Sequence, residues 1–265
     1  MTALLEHLDA LRGAGRKLLV PYVTGGIPDR ASFGAALAAV ASVADAIEIG
    51  LPYSDPLMDG PVIAGASERA IREGVGPLEA LDLAGRADLG GAGVGGVMKV
   101  AMTYYNPIHR LGEKEFCARA ATASFAGLIV PDLPVEESSS LRREAEAEGL
   151  AWVPLVAPTS PPERVADIAG TATGFVYAVS TLGVTGARER LSERAARVVR
   201  ACREATDLPV LVGIGVSGPE QAGEAASVAD GVVIGSAVVS RLVEEGPASA
   251  VAFLEAVRRA LDAPT

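Results

Sequence analysis

The chain has 265 residues, enough for one large domain or two small ones, and 49% of them are hydrophobic, which is ample material for a core. Its formal net charge of -10 excludes the basic surface that non-specific nucleic-acid binding requires, though not a local site for a small anion. Two cysteines, Cys117 and Cys202, stand far apart without CxxC or Cys/His spacing, so neither a disulfide framework nor a metal site is expected.

The chain opens on "MTALLEHLDALRGAGRKLL", which has the period of a short amphipathic helix rather than a signal peptide. No apolar run is long enough to span a bilayer, and a soluble cytoplasmic protein is the expectation. From there, short β-rich apolar runs alternate with Ala/Arg/Glu-rich helical segments. Strands are predicted at 17–25, 46–52, 96–102, 127–133, 151–157, 174–180, 209–215 and 231–237. Their nearly continuous apolar character is that of parallel strands covered on both faces. Asp29 ahead of "RASF" and Ser217 ahead of "GPEQAGEAA" read as helix starts. The long interval between the second and third strands is expected to hold two helices, with "GRADLGGAGVGG" as a loop before strand three.

Eight such alternations predict a (β/α)8 TIM barrel with an extra N-terminal helix, residues 1–265 forming a single domain; a doubly wound open sheet is the alternative. A barrel places its functional residues at the C-terminal ends of strands or in the loops that follow.

Glu48 meets that rule. Strand alternation turns Ala46, Glu48 and Gly50 inward if Ile47 and Ile49 face the helices. An inward carboxylate is desolvated, which raises its pKa toward the range of a group that gives and takes protons; the alternative is a structural carboxylate bonded to a neighbouring strand. Asp55 and Asp59 follow in "YSDPLMDGP", a loop shaped by Pro52, Pro56, Gly60 and Pro61, where either could also be a turn residue. Gly213, Gly215, Gly235 and Ser236 fall after strands seven and eight, where barrels bind phosphate through backbone N–H groups and a helix N-terminus; tight turns are the other explanation. Tyr177 lies on the same strand face as Phe175 and Val179, as core filler or site residue. Asp132 orients a neighbour or caps a turn, and "MTYYNPIHR" offers aromatic and amide groups for a flat substrate. A Schiff-base aldolase needs an inward lysine. Lys99 is the only strand candidate, and its parity opposes Met102, which points it at the helix layer.

The segments "VPYVTGGIPD", "IEIGLPYSDPLMDGP", "MTYYNP", "PDLPVEES", "YAVSTLGVTGARE", "VGIGVS" and "GSAVV" resemble, in order and over essentially the whole chain, the α subunit of tryptophan synthase. The resemblance implies a lyase that cleaves indole-3-glycerol phosphate to indole and glyceraldehyde 3-phosphate. It implies Glu48 as the acid/base, Asp59 as the partner of the indole N–H and Tyr177 beside the glutamate. It further implies phosphate binding at Gly183, Gly213, Gly215, Gly235 and Ser236, an indole pocket lined by Tyr22, Met102 and Ile129, and Thr185 in a loop that closes over the substrate. No cofactor is implied in this chain: pyridoxal phosphate is expected in a β subunit, with which the chain would form an α2β2 assembly. A stand-alone lyase releasing free indole is the second expectation.

Overall fold

A computed structural model of the chain describes residues 1–89, 96–179, 191–213 and 215–263, with residues 191–194 described in their backbone alone. Gly183 and Thr185 lie outside the described residues.

Nine parallel strand segments form one sheet in the order β5-β4-β3-β2-β1-β9-β8-β7-β6. They are β1 Leu18–Thr24, β2 Ala46–Gly50, β3 Met98–Met102, β4 Phe125–Ile129, β5 Ala151–Trp152, β6 Leu155–Val156, β7 Val176–Val179, β8 Val210–Gly213 and β9 Gly231–Ile234. The two edge segments, β5 and β6, are halves of the predicted fifth strand. Pro154, which has no N–H, sits between them. The first half pairs with β4 (Leu128 opposite Trp152) and the second with β7 (Leu155 opposite Tyr177). Between the halves, Val153 N donates to Leu128 O at 3.0 Å and Tyr177 N to Pro154 O at 3.0 Å, so this one segment closes the sheet into the expected barrel.

Apolar residues sort into two layers. Leu18, Val20, Ala46, Val100, Ile129, Phe175, Tyr177, Val179, Leu211 and Val233 form the inner core, and alternate residues such as Leu19, Val23, Ile47, Ile49 and Ala101 pack outward against the helices. Lys99 follows the outward parity. Its ammonium is buried over the Phe125 ring and donates to Ala84 O at 3.0 Å and Ala123 O at 2.8 Å, tying β3 to α4 (Pro77–Arg86) and α6 (Glu113–Thr122). No Schiff-base role is open to it in this position.

Several predicted elements shift. The fourth strand is Phe125–Ile129 rather than 127–133, because the chain turns at Pro131. The eighth predicted strand ends at Ile234, and α11 (Ser236–Glu244) starts at once. The interval after β2 holds α3 (Pro61–Arg72) and α4, as expected. "MTYYNPIHR" is mostly a short helix, α5 (Tyr105–Leu111), not a loop. Asp29 Oδ1 accepts from Ala31 N and Ser32 N, each at 2.9 Å, ahead of α2 (Phe33–Ala41). Ser217 instead gives both its N–H and hydroxyl to Gln221 Oε1 at 2.7 Å, one residue before the cap of α10 (Pro219–Ala226).

The lower mouth is held by α1 (Ala3–Gly13), whose Leu4 and Leu8 enter the inner core, and by Asp45. This carboxylate, 3% exposed, accepts from Leu19 N at 2.8 Å, Arg16 Nε at 2.6 Å and Arg258 Nη2 at 2.5 Å. It thereby joins the start of β1 to the C-terminal helix α12 (Pro247–Asp262). Breaking a buried ion pair leaves an uncompensated charge. Asp45→Ala is expected to lower unfolding free energy by roughly 3–5 kcal/mol, read as a lower denaturant midpoint.

Candidate active site

The upper ends of β1, β2, β3 and β7 converge on Glu48. It faces inward, opposite Tyr22 on β1 and Val100 on β3 in register. It is 3% exposed, and its Oε2 has no hydrogen-bond partner. A buried acceptor without a donor disfavours the charged form. Burial, with a smaller contribution from the Asp59 charge, raises the Glu48 pKa from 4.5 to about 8. The structural reading, a carboxylate bonded to a neighbouring strand, finds no support at Oε2.

Asp59 stands in the loop between β2 and α3, half-buried. Burial raises its carboxyl to about 6, while the nearby Tyr104 hydroxyl acts in the opposite sense. At neutral pH the deeper Glu48 therefore keeps its proton and Asp59 carries the charge. Asp55, in the same loop, is exposed.

Two tyrosines complete the interior. Tyr22 lies across Gly50, where an added Cβ would fall 1.8 Å from the Tyr22 hydroxyl oxygen; Tyr177 lies across Gly213 in the same way, at 2.2 Å. Both positions need glycine for lack of space. Burial raises both phenol pKa values well above the usual tyrosine value, and the charges of Glu48 and Asp59 add to this. Met102 and Ile129 are paired at the ends of β3 and β4, as neighbours on one side of the mouth.

On the other side, β8 ends at Gly213 and Gly215 follows with φ +109°, a backbone conformation that favours glycine. Gly235 caps α11 and Ser236 is its first residue, so this helix directs its N-terminus at the mouth. An added Cβ on Gly235 would lie 3.5 Å from the Tyr22 Cβ. The helix N-terminus thus sits within one side chain of the carboxylates.

Two residues escaped the sequence reading. Thr24, fully buried at the end of β1, has a hydroxyl oxygen near that of Tyr22 but without a hydrogen bond of good geometry. Its inward parity with Tyr22 was the available signal. Tyr104, which holds the Asp59 loop, was hidden in an aromatic pair that gave no sign of which ring turns inward. Asp132 has a plain role: its Oδ1 accepts from Tyr105 N at 2.9 Å and so caps α5. His109 is exposed on α5. Among the described residues, no cluster of three His, Cys, Asp or Glu side chains could hold a metal ion, and no helix is long and apolar enough to cross a membrane.

A family model for the tryptophan synthase alpha chain matches residues 8–263. The chain belongs to this family. The tryptophan synthase alpha chain of Microcystis aeruginosa is 42% identical over 266 residues, covering 98% of each chain. That of Streptomyces avermitilis is 44% identical over 259 residues, covering 96% of this chain and 90% of the relative. Among solved structures, Mycobacterium tuberculosis tryptophan synthase superposes with a TM-score of 0.89 at 39% identity over 99% of both chains. Tryptophan synthase subunit alpha from Legionella pneumophila gives 0.89 at 29% identity over 99% of both. Membership of this family confirms the (β/α)8 barrel.

The raised Glu48 pKa has a consequence for stability. A carboxyl whose folded pKa lies above its unfolded value favours the folded state when protonated, so that contribution is lost as pH rises from about 4.5 through about 8. Each pKa unit corresponds to about 1.4 kcal/mol. Glu48→Gln is expected to be as stable as the parent near pH 5 and more stable by a few kcal/mol near pH 8, in paired urea titrations.

Proposed function

We propose that Glu48 is the acid/base and Asp59 the charge-stabilising carboxylate of indole-3-glycerol phosphate cleavage, with Tyr177 beside the glutamate. As a tryptophan synthase α chain, this protein is a lyase that releases indole and glyceraldehyde 3-phosphate in tryptophan biosynthesis. It works with a β subunit, which carries the pyridoxal phosphate, and this role is favoured over that of a stand-alone lyase. A cytoplasmic, single-domain enzyme is the accompanying reading.

One observation supports the assignment above the rest: two carboxylates at one barrel mouth, pushed to about 8 and about 6, so that one holds a proton while the other is ionised. The reaction needs both forms. Protonating indole C3 breaks the ring's aromaticity and leaves positive charge on the ring nitrogen, which the Asp59 carboxylate stabilises as it develops. The carbon attached to C3 carries a hydroxyl. Loss of its proton turns that oxygen into the aldehyde carbonyl, the C–C bond breaks, and the bonding pair returns to the ring and restores indole. One proton enters at C3 and one leaves the hydroxyl, so a single group can supply the first and take the second. Glu48, protonated near neutrality and with its Oε2 not held by any hydrogen bond, is suited to this.

Tyr22, Met102 and Ile129 supply the apolar walls for the indole. Gly213, Gly215, Gly235 and Ser236 present backbone and a helix N-terminus to the phosphate. Phosphate binding at a distance from the reacting bond provides energy for holding the indole in register. Gly183 and Thr185 take the phosphate-binding and loop-closing roles that the family resemblance implies for them.

Glu48→Gln should nearly abolish indole release while glycerol phosphate still binds, and Asp59→Asn should lose a large factor in kcat. Wild-type kcat in Glu48→Gln would remove the acid/base assignment. Indole release measured with and without the β subunit tests the partnership: strong activation is expected, and full activity alone would favour the stand-alone enzyme.

A further inference from the structure

The loop that carries Asp59 has little structure of its own. From Leu51 to Gly60 there is neither helix nor strand, and Leu57 and Met58 are 79% and 51% exposed. Its internal backbone bonds are Leu57 N to Asp55 O at 3.0 Å and Asp59 N to Pro56 O at 3.2 Å. A carboxylate on such a segment has no fixed direction unless something outside the loop supplies it.

Tyr104 supplies it. The residue is 3% exposed, and its hydroxyl oxygen accepts the Met58 N–H at 2.9 Å. That hydroxyl therefore holds the loop by its backbone at the residue next to Asp59, with the Asp59 carboxylate nearby. The ring also stacks obliquely on Tyr53, centroids 5.3 Å apart, and Tyr53 accepts from Asn106 Nδ2 at 2.9 Å. The backbone of Tyr104 is itself fixed. Thr103 N donates to Ile129 O at 3.0 Å, and Tyr105 N to Asp132 Oδ1 at 2.9 Å. The hydroxyl is thus a rigid point borrowed from β3 and α5 and lent to a loose loop.

We infer that Tyr104 is a positioning residue for cleavage: its hydroxyl holds the loop in register at Met58 and so sets where the adjoining Asp59 carboxylate stands, and Asp132 fixes Tyr104 through the start of α5. The inference rests on the role proposed for Asp59. A tyrosine present only to fill space would act through its ring, which Phe retains.

The titratable groups facing Asp59 are Glu48 on β2, Tyr22 on β1, Tyr177 on β7 and Tyr104 after β3, among the described residues. Of these, the Tyr104 hydroxyl is the one whose nearness lowers the Asp59 pKa. Removing it should move the acid limb of the kcat profile to higher pH, because Asp59 must be ionised to act. The alkaline limb, set by Glu48, should stay.

The test compares wild type, Tyr104→Phe, Asp59→Asn and the double variant as full chains, alone and with the β subunit, by kcat, KM and pH profile. Leaving the Met58 N–H without its acceptor, and the loop unheld, corresponds to roughly fivefold to a hundredfold in kcat. Tyr104→Phe is expected to show such a loss with little change in KM and an acid limb moved upward, and to cost nothing further in the Asp59→Asn background. Asp132→Ala, which reaches Asp59 only through α5, should give the same signature in milder form and serves if Tyr104→Phe does not fold. Unchanged kcat and acid limb in the folded variants, with Asp59→Asn impaired, overturn the inference alone. Wild-type kcat in Asp59→Asn overturns the role of Asp59 beneath it.

Discussion

A carboxyl group whose Oε2 has no donor is buried at the upper end of β2, and the architecture around it makes sense as what keeps it there. Removing a carboxylate from water without a compensating hydrogen bond is expensive, and proteins ordinarily respond by neutralising the group. Glu48 does so by retaining a proton at neutral pH. The rigid parallel barrel keeps water out, two tyrosines press into the space left by Gly50 and Gly213, and no lysine or arginine among the described residues turns inward to pair with the acid. A cation there would stabilise the fold and hold Glu48 in its ionised form.

The opposite end of the barrel treats carboxylates in the reverse way. Asp45 is as deeply buried as Glu48, yet it has two guanidinium partners and a backbone N–H. Asp230 accepts from Val210 N at 2.8 Å and pairs with Arg203 at 3.2 Å. Asp45 and Asp230 are satisfied and structural; Glu48 at the upper end is left partly unsatisfied. Such a division matches the general separation of stability and chemistry between the two faces of this fold.

Much of this was legible in the sequence, because strand parity carries strong information. The inward turn of Glu48 and Tyr177 and the outward turn of Lys99 all followed from period-two alternation. The places of Gly213, Gly215, Gly235 and Ser236 at and just after the ends of the last two strands followed from the spacing of the apolar runs. Other features depend on contacts remote in sequence. The break at Pro154 could not be told from a plain strand, since a closing segment shared between two neighbours has no local signature. Asp132 was expected in a strand because "GLIVPDL" is apolar up to the turn, and its bond to Tyr105 spans 27 positions. Tyr104 and Tyr105 are adjacent and identical in type. One reaches Asp59 and the other bonds Glu113 at 2.9 Å, and only the start of α5 between them decides which.

Helix α1 deserves a last consequence. By seating Leu4 and Leu8 in the inner core, it turns the barrel into a well with a floor. With the lower end so filled, a planar product freed at the upper mouth would leave by the rim at which the substrate arrived. Departure of indole is therefore tied to the same loops and the same rim that admit the substrate. A second protein seated on that rim would command both traffic directions at once, without touching the reacting atoms.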